Sequence, residues 1–215
     1  MSSSKHRRDW AYLAIIAVQL AGMVLLDLVG FYPKALYAKP AAPLHFLVTL
    51  RRFYLRTTGD PFFHASPAAN HAAAWMRGFL YVELFVQLPL AAFLVYRLAS
   101  RRRSRNGRDD DAAAAAAVEL AALAFACLTF MGSVACCAEL AAMGSRRLSP
   151  DLKSRLLYGT YLPFAIFRKQ LPSVSFIVVR NLMGSAAAVM AVDMFARLHL
   201  RFRASQSQDV KAKDN

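Results

Sequence analysis

The chain has 215 residues, 57% hydrophobic and 19% charged, and its mean hydropathy is positive. It is too apolar for an ordinary soluble domain and too short for a large transporter, so one compact membrane domain is expected. The net charge of +14, from 27 Lys and Arg against 13 Asp and Glu, sits beside apolar runs rather than in one stripe. That pattern argues against nucleic acid as a partner and for topology-setting charge that meets membrane lipids.

The first span is expected over Trp10 to Val29, about twenty residues, enough to cross a core of ~30 Å as helix. Phe31, Tyr32 and Pro33 then mark an interface and a helix stop. Leu44, Phe46, Leu47, Leu50, Phe53, Tyr54 and Leu55, interleaved with Arg51, Arg52 and Arg56, read as an amphipathic helix at the membrane surface. A second span is expected from Gly78 to Leu98, followed by Arg101, Arg102, Arg103, Arg105 and Arg108. Six alanines, Ala112 to Ala117, open a third span to Met131, with an extension toward Met143. A fourth span is placed within Val174 to Leu200, and the apolar Leu156 to Phe167 would be a partial or re-entrant helix.

The expected fold is therefore an all-α membrane protein, a bundle of four transmembrane helices with an amphipathic interfacial segment between the first two. Residues 1–9 would be a cytosolic N-terminus, 10–200 the membrane domain and 201–215 a basic cytosolic tail. The Arg-rich 101–108 loop places both termini in the cytosol. Lys211 and Lys213 near the C-terminus have the form of a dilysine retrieval signal for the endoplasmic reticulum.

Two carboxylates fall within the apolar spans, Asp27 in the first and Glu83 in the second. An uncompensated acid in hydrocarbon is costly, which makes both residues candidates for a functional site. If they meet, one should hold a proton and the other ionise. Such a pair could bind a cationic amine or donate a proton to an apolar substrate. Gln87 lies four residues beyond Glu83 on the same helix face, and Pro89 frees a backbone carbonyl nearby. Asp60, followed by Pro61, reads first as a helix cap. Tyr158 and Tyr161, three apart, either line a pocket or serve as interfacial aromatics. Cys127, Cys136 and Cys137 read as small apolar packing residues. His45, His64 and His71 lack ligand-like spacing, and no metal cluster, phosphate loop or catalytic triad is evident. No cofactor or metal is expected.

The order Asp27-Leu28, Tyr32-Pro33, Leu36-Tyr37, Phe53-Tyr54, Gly59-Asp60-Pro61, then Trp75 to Leu80 running into Glu83 to Pro89, resembles the sigma-2 receptor branch of the EXPERA-domain family. Tyr158 to Leu162 resembles that branch's fourth-helix aromatic motif. The resemblance implies a four-helix protein of the endoplasmic reticulum membrane, often a homodimer, with a cavity for sterols and lipophilic amines. By that likeness Asp27 meets the ligand amine, Glu83 shares a proton with it and Asp60 supports them. A related branch isomerises a sterol double bond by protonation, and a yeast relative is implicated in delivering precursors from the reticulum to mitochondria. Residues 168–187 depart from the family pattern as an apparent insertion. The expected function is thus a non-catalytic sterol or lipid binder. The alternatives are an alkene-protonating isomerase or cyclase, or a precursor-delivery factor.

Overall fold

The computed structural model describes residues 2–64, 74–103, 112–145, 148–158 and 187–204. Among these every regular element is helical. Among the described residues three stretches are long and apolar enough to cross a membrane: Arg8–Phe31, Ala74–Ser100 and Ala113–Ala142.

The first stretch is α1 (Ser2–Gly22), which widens into a π-helical segment, Met23–Asp27, and tightens into a 3-10 turn, Leu28–Phe31. Pro33, fixed near the extended region, starts the loop that carries α2 (Lys34–Tyr37). The amphipathic stretch is α3 (Phe46–Thr58). It buries Leu47 and packs against the Met23–Asp27 segment, with Phe46 and Phe53 on its exposed side.

Gly59 ends α3 in the left-handed conformation, φ 62°, and its N–H donates to Leu55 O. Glycine occupies this cap without the steric penalty a Cβ brings. The short α4 (Pro61–His64) follows at once.

The second span comprises α5 (Ala74–Val82), a second π-helical segment, Glu83–Gln87, and α6 (Leu88–Arg103). The third is α7 (Ala112–Ala142). Beyond it, Ser149 caps α8 (Pro150–Leu156) by accepting from Leu152 N, with Pro150 in the first turn. Lys153 Nζ donates to Ala141 O and Met143 O at 2.6 and 2.9 Å, satisfying carbonyls that the end of α7 leaves unpaired. A last helix, α9, spans 187–204.

The main core joins four helices. Tyr12 and Ile16 of α1 meet Ala91 and Leu94 of α6, Val118, Ala122, Phe125 and Ala126 of α7, and Met190 and Met194 of α9. Small side chains at 91, 122 and 126, all buried, let the backbones approach closely, which drives association where lipid is as apolar as the side chains. A second cluster, Leu140, Leu148 and Leu156 with Phe62, joins α7 to α8 and α4.

Several boundaries differ from the sequence expectation. Alpha-helix begins at Ser2, before Trp10, while the third span runs to Ala142, within the extension toward Met143 that its alanine-rich sequence offered. The last described helix is continuous over 187–204, past the boundary at 200. Residues 168–186 and the piece from 159 to 167 lie outside the described residues.

Candidate functional site

The loop between the first two spans builds one wall. Asp60, with no exposed surface, accepts from Phe62 N at 3.0 Å through Oδ1 and from the Tyr54 hydroxyl at 3.1 Å through Oδ2. Its own N–H donates to Thr58 Oγ1. The helix-cap role is thus present, and the second oxygen is engaged by α3. Tyr54 also stacks edge-on with Phe63, centroids 5.0 Å apart. Phe62, Trp75 and Phe79 form a ladder of edge-on rings, 5.8 and 6.0 Å apart, that ties α4 to α5. Burial, the Asp60 charge and the hydrogen bond to Asp60 together push the Tyr54 phenol well above the usual tyrosine range.

The two π-helical segments place the other acids. Leu28 N–H reaches back five residues to Met23 O, and Leu88 N–H reaches five back to Glu83 O. Asp27 closes the first segment and Glu83 opens the second. Pro89 follows directly; lacking an N–H it cannot continue the regular ladder, which accounts for a widened turn where the sequence suggested a kink. Asp27 and Glu83 are both partly buried, and their carboxyl groups hydrogen-bond to each other. Two carboxyl groups make that bond only when a proton lies between them.

Around the pair stand Asp60, which the resemblance had assigned to it, and groups that it had not. Asp60 and Arg51 both act electrostatically on Asp27. Arg51 of α3 is half-buried and donates to Phe63 O at 3.2 Å, its guanidinium lying over the Phe63 ring. Cys136 of α7 lies within electrostatic reach of Asp60, Asp27 and Glu83. Gln87 donates to Thr129 Oγ1 of α7 at 3.3 Å, so its amide bridges two spans. Phe79 packs over Gly132, where an added Cβ would lie 3.8 Å from the ring.

The structure therefore brings together Asp27, Glu83 and Asp60, with Gln87 one turn away. Tyr158 is 63% exposed at the end of a described stretch. Tyr161, Lys211 and Lys213 lie outside the described residues. The missed residues Tyr54, Arg51, Thr129 and Cys136 carried no spacing signal, because each reaches the site across helices. Among the described residues no group of His, Cys, Asp and Glu is arranged to hold a metal ion. Chemically, the pair can give its proton to a base or an alkene, or lose it and hold a cation.

A family model, EXPERA (EXPanded EBP superfamily), matches residues 46–169, more than half of the chain. The chain belongs to the EXPERA superfamily. EXPERA proteins are membrane proteins, and the superfamily includes sterol-binding and sterol-isomerase members. No curated protein and no solved structure matches this EXPERA chain. The matched residues contain Asp60, Glu83 and Gln87, whereas Asp27 and helix α9 lie outside them. The carboxylate pair thus joins a residue of the matched EXPERA region to one that precedes it.

Proposed function

We propose that this EXPERA protein binds a sterol or another lipophilic ligand, including lipophilic amines, at the Asp27–Glu83 pair within the bilayer. One observation carries the reading: two acids from separate spans share a hydrogen bond at membrane depth, each seated on a π-helical turn. Intramembrane acids held in this way mark ligand or proton sites far more often than packing alone requires, and π-helical turns occur frequently at functional sites. Asp60 and Arg51 set the field around the pair.

The wider reading is a sigma-2 receptor-like protein of the endoplasmic reticulum acting in lipid homeostasis or trafficking. It has four membrane helices, an interfacial α3, both termini in the cytosol, and forms a homodimer. The ordered motifs from Asp27 to Pro89 support the branch, and Lys211 and Lys213 support the location. The apolar outer side of α9 supports the fourth helix.

The test uses the purified full-length protein in lipid nanodiscs, with Asp27→Asn and Glu83→Gln. Binding of radiolabelled cholesterol and of a lipophilic tertiary amine is measured beside turnover of a sterol alkene. Both variants should lose at least roughly tenfold in affinity, about 1.4 kcal/mol, with no product formed. Unchanged binding would remove the pair from the ligand site. Product that depends on Glu83 or Asp27 would favour the isomerase reading, to which the same shared proton lends itself.

A further inference from the structure

The far end of the bundle holds a second polar assembly. Helix α9 carries Asp193, Arg197 and Arg201, four residues apart and therefore on one stripe. Each is met from another helix. Arg8 Nη1 of α1 donates to Asp193 Oδ1 at 2.8 Å, and the Tyr12 hydroxyl donates to Oδ2 at 3.0 Å. Arg197 Nη1 donates to Asp9 Oδ1 at 2.9 Å, and Nη2 pairs with Asp193 Oδ2 at 2.7 Å. Arg201 grips both oxygens of Glu119 on α7, at 2.6 and 3.1 Å. Glu119 is only 3% exposed.

The outward side of α9 is mostly apolar. Val192 is 70% exposed, Phe195 63%, and Leu200 and Phe202 67% each, with His199 and Arg203 also exposed toward the C-terminal end. A mostly apolar outside with an ion-paired inner stripe suits hydrocarbon: lipid solvates the outer face, and pairing makes the inner charges tolerable.

We propose that residues 187–204 form a latched membrane helix, embedded in lipid and held there by the counter-charges that Asp9, Arg8 and Glu119 present to its inner stripe. The latch rests on the four-helix reading and is independent of the carboxylate pair. Tyr12 stands fifteen residues before Asp27 in the same span, roughly 20 Å along the helix axis.

The full-length chain, with Cys127, Cys136 and Cys137 replaced by Ala, is reconstituted in phosphatidylcholine vesicles. A single cysteine is placed at the outer face of α9 by Val192→Cys, or at the outer face of α6 by Tyr96→Cys as a reference. A membrane-impermeant maleimide reports exposure to water. Both sites should be protected in the parental background. Adding Asp9→Asn with Glu119→Gln should raise labelling at position 192 roughly tenfold while position 96 stays protected. Exchanging the pair, Glu119→Arg with Arg201→Glu, should keep position 192 protected. Labelling at 192 in the parental background would overturn the embedded helix itself. Protection at 192 in the neutralised variant would overturn the latch alone. Exposure of both sites there, or failure of the exchange, would overturn the claim that paired charge holds this helix in place.

Discussion

Asp60 is wholly buried and its two oxygens face different elements, Phe62 N–H in α4 and the Tyr54 hydroxyl in α3. Removing the hydroxyl takes one hydrogen bond from this buried carboxylate, a loss of about 0.5–1.5 kcal/mol. Tyr54→Phe should therefore lower the thermal midpoint of the purified protein and weaken ligand binding. An unchanged midpoint would show that Asp60 is satisfied otherwise. The phenol also has a pH signature. Its folded-state pKa is raised above the unfolded value near 10, so its contribution is complete below pH 10 and is lost as pH rises through the folded value. The loss of stability above pH 10 should be shallower in Tyr54→Phe than in the parental chain, read from midpoints at a series of alkaline pH values. Sequence alone singled out Asp27 and Glu83, because an acid in an apolar run is conspicuous; Asp60, before a proline, read first as a cap, and only the family resemblance set it beside them. Tyr54 and Cys136 were not legible as neighbours of the site, since a tyrosine in an amphipathic helix and a cysteine in an alanine-rich span read equally well as packing.

At the scale of elements, the turn at Gly59 and the two π-helical segments decide where the acids point. A Cβ at Gly59 would lie 3.1 Å from Leu152 Cδ2 and would have to adopt φ 62°. Gly59→Ala should cost about 1–2 kcal/mol from the backbone alone, visible as a lowered midpoint with a loosened α8. Pro89→Ala restores an N–H directly after the Glu83–Gln87 segment and lets the regular ladder close. Ligand affinity should then fall about tenfold, about 1.4 kcal/mol, while the midpoint holds or rises, because proline inside a helix costs about 3 kcal/mol. Equal affinity in the two proteins would mean that Pro89 does not set the position of Glu83. The spans themselves were readable from length and hydropathy, and α3 from its alternating arginines and aromatics. The widened turns were not, since the apolar pattern around Asp27 and Glu83 satisfies an α-helix just as well.

Across the whole molecule, three spans and α9 share one core, with the carboxylate site toward one end and the ion-paired assembly at the other. The C-terminal lysines add a prediction of address. In cells, Lys211→Ser with Lys213→Ser should move the protein from the endoplasmic reticulum to later compartments, followed by microscopy of a tag placed at the N-terminus. Retention of the reticular pattern would remove the retrieval signal from the reading. Helix α9 was the least legible element. Asp193, Arg197 and Arg201 interrupt its apolar sequence, and their partners lie about 80 or more residues away on α1 and α7; only the assembled bundle reveals that the charges face inward.

The widened turns also make the chain unusually sensitive to its own length. A π-helical turn holds one residue more than an α-turn over a similar rise. Deleting a single residue from Met23–Asp27 would leave the first span long enough to cross the bilayer and let the turn close as a regular α-turn, with the helix on either side kept in register. Asp27 would then lose the widened turn that seats it opposite Glu83, with no polar group removed. Spacing, as much as residue type, is what a redesigned or divergent copy of this protein must preserve.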